Sequence, residues 1–196
     1  SLTRFLEGRM RLKVNQDKSG VVRPEESHIL GFRFRVGSEG DVAVLLSSKT
    51  IARITERIRV MTPRNWGRSL ADLLQSIGSY LRGWMGYFRL CTAGVLSYLE
   101  GQDAHLRRRL RAIVVRQKGR RQRYLFRHLR AQGVSVGSAA KTAWSKRGPW
   151  GRSIQPAMHR AYPNAWFRDQ LGSLVNEWHS HNPPALVSGQ TLLFAP

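Results

Sequence analysis

At Ser48 the chain changes its hydrophobic period. Upstream, apolar and polar residues alternate in Arg11-Leu-Lys-Val14 and in Ile29-Leu-Gly-Phe-Arg-Phe-Arg-Val36, and Val42-Ala-Val-Leu-Leu46 is a short β-branched run. A period of two sends successive side chains to opposite faces, so these segments predict three short strands. Gly20, Pro24, Gly37 and Gly40 punctuate them as turn residues. Downstream the period is about 3.6, with Ile51, Ile54, Ile58 and Met61 on one face and Arg53, Glu56, Arg57 and Arg59 on the other. One element cannot obey both periods. The chain is therefore expected to be α+β: a small sheet within residues 1–47, a mainly helical region over 48–178, and a tail over 179–196 without periodicity.

Within the helical region the clearest segment opens at Ser69. Ser69 followed by Asp72 resembles a capping box, and Leu70, Leu73, Leu74, Ile77, Leu81, Trp84 and Phe88 continue an apolar stripe. A second helix is expected from about Val95 to Gln117, with Leu96, Leu99, Leu106, Leu110, Ile113 and Val114 inward. Tyr124–Leu129 and Ser138–Trp144 predict shorter helices separated by Gly133 and Gly137, and Pro163 opens a last helix through Trp178. Leu2, Phe5 and Leu6 also stand at helical spacing, as though the chain were entered part-way through an element.

Charge narrows the function. There are 33 Lys+Arg against 12 Asp+Glu, a net charge of +21. With 41% hydrophobic and 9% aromatic residues the chain can bury a core, so a wholly disordered basic tail is excluded. A folded chain this cationic needs an anionic partner, and nucleic acid is the leading one. No segment has the roughly 18 apolar residues of a membrane span; an acidic membrane surface is the runner-up anion, and it normally needs a compact polybasic cluster beside an amphipathic anchor or lipid signal. One cysteine, Cys91, precludes an internal disulfide framework and a Cys-based zinc site. The expected location is cytoplasmic, and no membrane partner is expected.

Eleven cations stand between Gly101 and Arg130 against the single acid Asp103: Arg107, Arg108, Arg109, Arg111, Arg116, Lys118, Arg120, Arg121, Arg123, Arg127 and Arg130. Positions 107, 111 and 118 share a helical face with little room for acidic partners, so the run is expected to face an external anion. Arginine dominates, and its planar fork suits phosphates and bases. A second cluster, Lys141-Thr-Ala-Trp-Ser-Lys-Arg-Gly-Pro-Trp-Gly-Arg152, places Lys141, Lys146, Arg147 and Arg152 among Trp144 and Trp150. Those tryptophans either stack on unpaired bases or hold a small helical lobe together. Arg82 and Arg89 flank Gly83 and Gly86, two helix-weakening residues whose compensation is a close approach to another helix or to RNA.

Asn15-Gln-Asp-Lys-Ser19, Ile29-Leu-Gly-Phe32, Arg82-Gly-Trp-Met-Gly-Tyr-Phe88, Arg107-Arg-Arg-Leu-Arg111, Lys146-Arg-Gly-Pro-Trp150 and Ala165-Trp-Phe167 occur in one order. In that order they resemble the group II intron-encoded reverse transcriptase/maturases, over roughly residues 10–176. The Arg-Gly-Trp-x-Gly-Tyr-Phe element is the most specific piece. The resemblance implies the end of a polymerase palm followed by the thumb, or maturase-specific, region that grips intron RNA. It implies that Lys18 lies near the leaving pyrophosphate and that Leu30, Gly31 and Phe32 belong to the hairpin that steadies the primer end. Lys18 is equally well a solvent-exposed turn lysine.

Polymerisation needs carboxylates that hold two metal ions. The family's Tyr-x-Asp-Asp turn is not in this sequence, whose aspartates at 17, 41, 72, 103 and 169 stand singly. No catalytic residue, metal site or cofactor is therefore expected, and Mg2+ would enter only through a separate palm half or the intron RNA. Trp178-His-Ser-His181 is too sparse for a metal site. The expected function is binding of group II intron RNA to assist its folding and splicing. Three alternatives stay open: the second half of a split RNA-directed DNA polymerase working with a separate palm and fingers chain, a general nucleic-acid-binding protein, or a decayed fragment that folds poorly because the palm sheet it should complete is missing. A DNA target or an RNA/DNA duplex is a further candidate partner.

Overall fold

The computed structural model describes residues 2–15, 20, 22–37, 40–63, 67, 69–92 and 94–182. The chain is α+β, as the two periods require. A short helix α1 (Leu2–Gly8) and a 3-10 turn (Pro24–Glu26) precede strands β1 (His28–Ile29), β2 (Phe32–Val36) and β3 (Val42–Leu46). Nine further helices follow among the described residues: α2 (Ser48–Met61), α3 (Leu70–Phe88), α4 (Leu96–Lys118), α5 (Gln122–Ala131), α6 (Val136–Ala143), α7 (Pro149–Arg152), α8 (Pro156–Ala161), α9 (Asn164–Leu171) and α10 (Leu174–His181).

The sheet is antiparallel in the order β1-β2-β3, with Ile29 opposite Phe32 and Phe32 opposite Leu46. The expected strand at Arg11–Val14 does not form, and Arg11 sits at φ 54°. The single strand expected over Ile29–Val36 is folded back on itself at Leu30-Gly31. Both residues take positive φ, 53° and 91°, the conformation of a tight two-residue hairpin turn. A leucine pays for that conformation unless its surroundings impose it. Here Tyr87 donates its hydroxyl to the Leu30 carbonyl at 3.1 Å, while the Gly31 carbonyl accepts from Thr50 Oγ1 at 2.8 Å and Ser47 N at 2.9 Å. A Cβ on Gly31 would stand 2.7 Å from Thr50 Oγ1 and against the Phe88 ring, so glycine is required.

The aromatics of the Arg82–Phe88 element fix this hairpin to α3. Phe32 stacks on Tyr87 at 5.7 Å and meets Phe88 at 5.2 Å, and Trp84 meets Phe88 at 4.6 Å. Phe32 and Leu46 thereby belong to the same buried cluster as the helices.

Helix starts follow their caps. Ser47 Oγ accepts from Thr50 N at the head of α2, and Ser69 Oγ accepts from Asp72 N at the head of α3. The stripes turn inward as expected: Ile54 and Ile58 on α2, Leu73, Leu74, Ile77 and Leu81 on α3, and Leu99, Leu106, Leu110, Ile113 and Val114 on α4 are buried. Each such side chain contributes about 1.5–3 kcal/mol of burial. The last expected helix is two helices. Gly172 takes φ 77° after α9, and Ser173 caps α10 by accepting from Asn176 N. α10 is secured by Trp178, whose indole N–H donates to the Cys91 carbonyl at 2.9 Å.

Gly83 and Gly86 correct one expectation. Among the described residues nothing lies within 4 Å of a Cβ built on either, so neither marks a crossing with another described helix. The close approach on α3 is at Gly78, where a Cβ would stand 3.4 Å from the Leu171 carbonyl of α9. Among the described residues no helix is long and apolar enough to cross a membrane.

Candidate nucleic-acid interface

α4 carries its arginines around an inward apolar stripe, and the fold sends them in different directions. Arg111 is turned inward and is only 3% exposed. Its Nε donates to the Tyr162 carbonyl at 3.0 Å, a terminal nitrogen donates to Asn164 Oδ1 at 2.9 Å, and its Cζ lies 5.1 Å from the Phe167 ring centre. Burial, and secondarily the charge of Arg107, pull its guanidinium down to about 10, so it remains charged at neutral pH. The expectation that Arg111 faces an external anion is thereby corrected: backbone and amide oxygens across the α8–α9 joint satisfy it.

Arg109 donates to the hydroxyl of Thr62 and, at 2.7 Å, to the Thr62 carbonyl. It sits at the C-terminus of α2, where a cation complements the helix dipole. Arg108 lies 3.9 Å from the centre of the Trp150 ring. Arg107 is half-buried without such a lock. The Arg107-Arg-Arg-Leu-Arg111 element is thus mostly a packing device, with its cations set along three directions.

Farther along, the cations lie on the surface. Arg116, Lys118, Arg120, Arg121 and Arg123 are exposed, running from the end of α4 into the first turn of α5, and the exposed Tyr124 follows. Lys141, Lys146 and Arg147 are exposed as well, as are Arg82 and Arg89 on α3 and just beyond it. Arg152 instead staples its own loop, donating to the carbonyls of Arg147 at 2.8 Å and Ser145 at 2.6 Å. Trp144 is 48% exposed and tilts against Phe126; Trp150 is 43% exposed. Lys18 lies outside the described residues. Leu30, Gly31 and Phe32 form the hairpin described above.

The single acid of the 101–130 stretch does not reach this surface. Asp103 is buried, accepting from Ser173 Oγ at 2.6 Å and from Leu174 N at 3.2 Å at the head of α10. The sequence places it among the cations; the fold spends it on a helix terminus. Among the described residues the one ion pair is the exposed Arg59–Glu56 contact at 3.5 Å, of a kind that contributes little. Among them, too, no three His, Cys, Asp or Glu side chains come together to hold a metal ion. The donor set of the described residues does not fit a two-magnesium carboxylate cage.

One concavity draws several of these residues together. A cleft of about 460 Å3 between the end of α2, the middle of α4 and the start of α7 is lined by Arg59, Arg109, Arg116, Ala112, Ile113 and Trp150, with His105 beside them. Arg59 and His105 carry no sequence signal: Arg59 stands on the outer face expected for α2, and no motif singles out His105. Burial, then the charges of Arg109, Arg59 and Arg108, hold the His105 imidazole below its usual range. The wall that α7 contributes is loosely matched. Gln102 Oε1, His105 Nε2 and Arg108 Nε, at successive third positions of α4, and Gln155 Oε1 beyond α7 are buried without hydrogen-bond partners among the described residues.

Cys91 is fully buried, and burial pushes its thiol up to about 12, so it is a packing residue rather than a nucleophile.

Residues 51–133, from α2 into the turn after α5, match the family described as group II intron, maturase-specific domain. Comparison with curated proteins returns no match.

Proposed function

With residues 51–133 forming a group II intron maturase-specific domain, we propose that the chain binds folded intron RNA and favours the splicing-competent conformation. The observation that carries the proposal is that Asp103 is buried against the head of α10 while Arg116, Lys118, Arg120, Arg121 and Arg123 are exposed from the end of α4 into α5, so the stretch's only carboxylate is unavailable to that surface. Structured RNA is recognised through phosphates and shape, and an exposed arginine-rich surface suits both. In this reading the bond-breaking chemistry of splicing belongs to the RNA. The protein shifts the RNA's folding equilibrium by binding one conformation more tightly than the others.

Gel-shift titration of a group II intron RNA against an unrelated folded RNA of equal length tests this, paired with self-splicing at limiting Mg2+. The expected result is tighter binding of the intron and a lower Mg2+ requirement. Equal affinity for both RNAs with no change in splicing would reduce the chain to a general nucleic-acid-binding protein.

A second reading has its own observation. Ile29, Leu30 and Val42 leave apolar side chains exposed on the small sheet, by 53%, 76% and 54%. Such a surface suits a separate palm and fingers chain completing a reverse transcriptase. Primer extension by the two chains mixed, against either alone, decides it.

A further inference from the structure

The α2–α4–α7 cleft has a composition that a phosphate surface does not need. Ala112, Ile113 and Trp150 make it apolar, Arg59, Arg109 and Arg116 surround it with guanidinium groups, and none of its ten lining residues is acidic. Its volume of about 460 Å3 falls within the usual range of small-ligand sites. An apolar slot with an aromatic wall and a cationic margin fits a flat π-system joined to an anion.

We infer that this cleft takes one unpaired nucleobase of the bound RNA, with the base against Trp150 and Ile113 and its phosphate toward the arginines. This rests on the RNA-binding reading, because a strand held elsewhere on the surface delivers the base. The placement of Arg116 favours a strand over a free nucleotide. It lines the cleft and stands at the head of the exposed series Lys118, Arg120, Arg121 and Arg123, so phosphates on either side of the captured base meet further cations. Trp150 is positioned for the task, since Arg108 covers one face of its ring at 3.9 Å and His105 meets it edge-on at 6.0 Å. A guanidinium on one face orients the ring and leaves the remainder for a base. His105, held neutral at pH 7, adds no charge to repel the edge of a base.

The test uses the full chain and two RNA hairpins of equal length, one fully paired and one with a single bulged 2-aminopurine. Binding is expected to quench the 2-aminopurine fluorescence, and the bulged hairpin is expected to bind roughly tenfold or more tighter than the paired one. Ala112→Trp, a partly exposed position lining the cleft, fills the slot; it should abolish the quench and bring the bulged hairpin to the affinity of the paired one. Trp150→Phe should retain the preference and Trp150→Ala should lose it, which keeps the inference testable if the filling variant folds poorly. Equal affinities with no quench, alongside persistent salt-dependent binding of both hairpins, overturn the cleft and leave the RNA reading intact. Binding of neither hairpin overturns both. Adenosine monophosphate binding as tightly as the bulged hairpin would make the cleft a mononucleotide site and overturn the strand assignment.

Discussion

The Arg111 guanidinium donates to the carbonyl of Tyr162 at 3.0 Å from within the core, four positions along the same helix from the half-buried Arg107. A charge placed there ties the long α4 to the joint between α8 and α9. α4 thus carries both an arginine that holds the fold and, five positions farther along at Arg116, the first of the exposed cations.

Stability should therefore separate residues that the sequence groups together. Arg111→Ala strands the Tyr162 carbonyl and the Asn164 side chain and opens a cavity, and should cost about 2–4 kcal/mol. Arg111→Lys restores charge but not the two-pronged geometry and should still destabilise. Arg120→Ala, on the exposed surface, should change stability by less than about 0.5 kcal/mol. Urea titration by circular dichroism measures all three, and equal small effects would contradict the internal role of Arg111.

RNA affinity should separate them in the opposite sense. Each cation that neutralises a phosphate contributes about 0.7–0.9 to the slope of log K against log salt. Arg120→Ala, Arg121→Ala and Arg123→Ala combined should flatten that slope by about two to three. Filter binding across a salt series reads it. An unchanged slope would remove the α4–α5 turn and the start of α5 from the contact surface.

The two open glycines on α3 give a paired readout. With no atom of the described residues within 4 Å of an added Cβ, Gly83→Ala and Gly86→Ala should each stabilise the free chain by about 0.5–1 kcal/mol. If RNA approaches the α3 backbone there, the same changes weaken RNA binding while raising Tm. Higher Tm with unaltered RNA affinity would place the RNA elsewhere.

Much of this architecture is legible in the order of residues. The shift of period at Ser48 predicts sheet then helices, and the stripes of α2, α3 and α4 face inward where spacing puts them. The Leu30-Gly31 turn is not legible, because its positive φ at a leucine is imposed by donors from Tyr87, Thr50 and Ser47, distant in sequence. Nor is the break at Gly172, since α10 depends on Asp103 seventy positions earlier to complete its first turn. Charge runs are the least legible feature. Arg107, Arg108, Arg109 and Arg111 form one cluster in sequence, yet only packing against Thr62, Trp150 and Tyr162 determines which of them the surface keeps. The cleft is illegible for the same reason: Arg59, Arg116 and Trp150 come from three elements and share no motif.

Mild acid should loosen the fold before carboxylates titrate. His105, His128 and His159 are all held below the ordinary imidazole value of 6.5: burial is the main cause at each, followed by Arg109, Arg59 and Arg108 for His105, Lys118 for His128 and Arg111 for His159. His128 is further engaged with the Tyr162 hydroxyl at 2.6 Å. A histidine whose folded value is depressed contributes stability that is fully present above its unfolded value. That contribution is lost as pH falls from about 6.5 toward the folded value, because over that interval the unfolded chain binds more protons. Tm should accordingly decline between about pH 7 and pH 5, a window in which ordinary Asp and Glu stay ionised. His128→Gln keeps a polar partner for Tyr162 without a titrating ring and should make that decline shallower. A Tm that holds constant down to pH 5 in the parent chain would show that these imidazoles titrate alike in the folded and unfolded states.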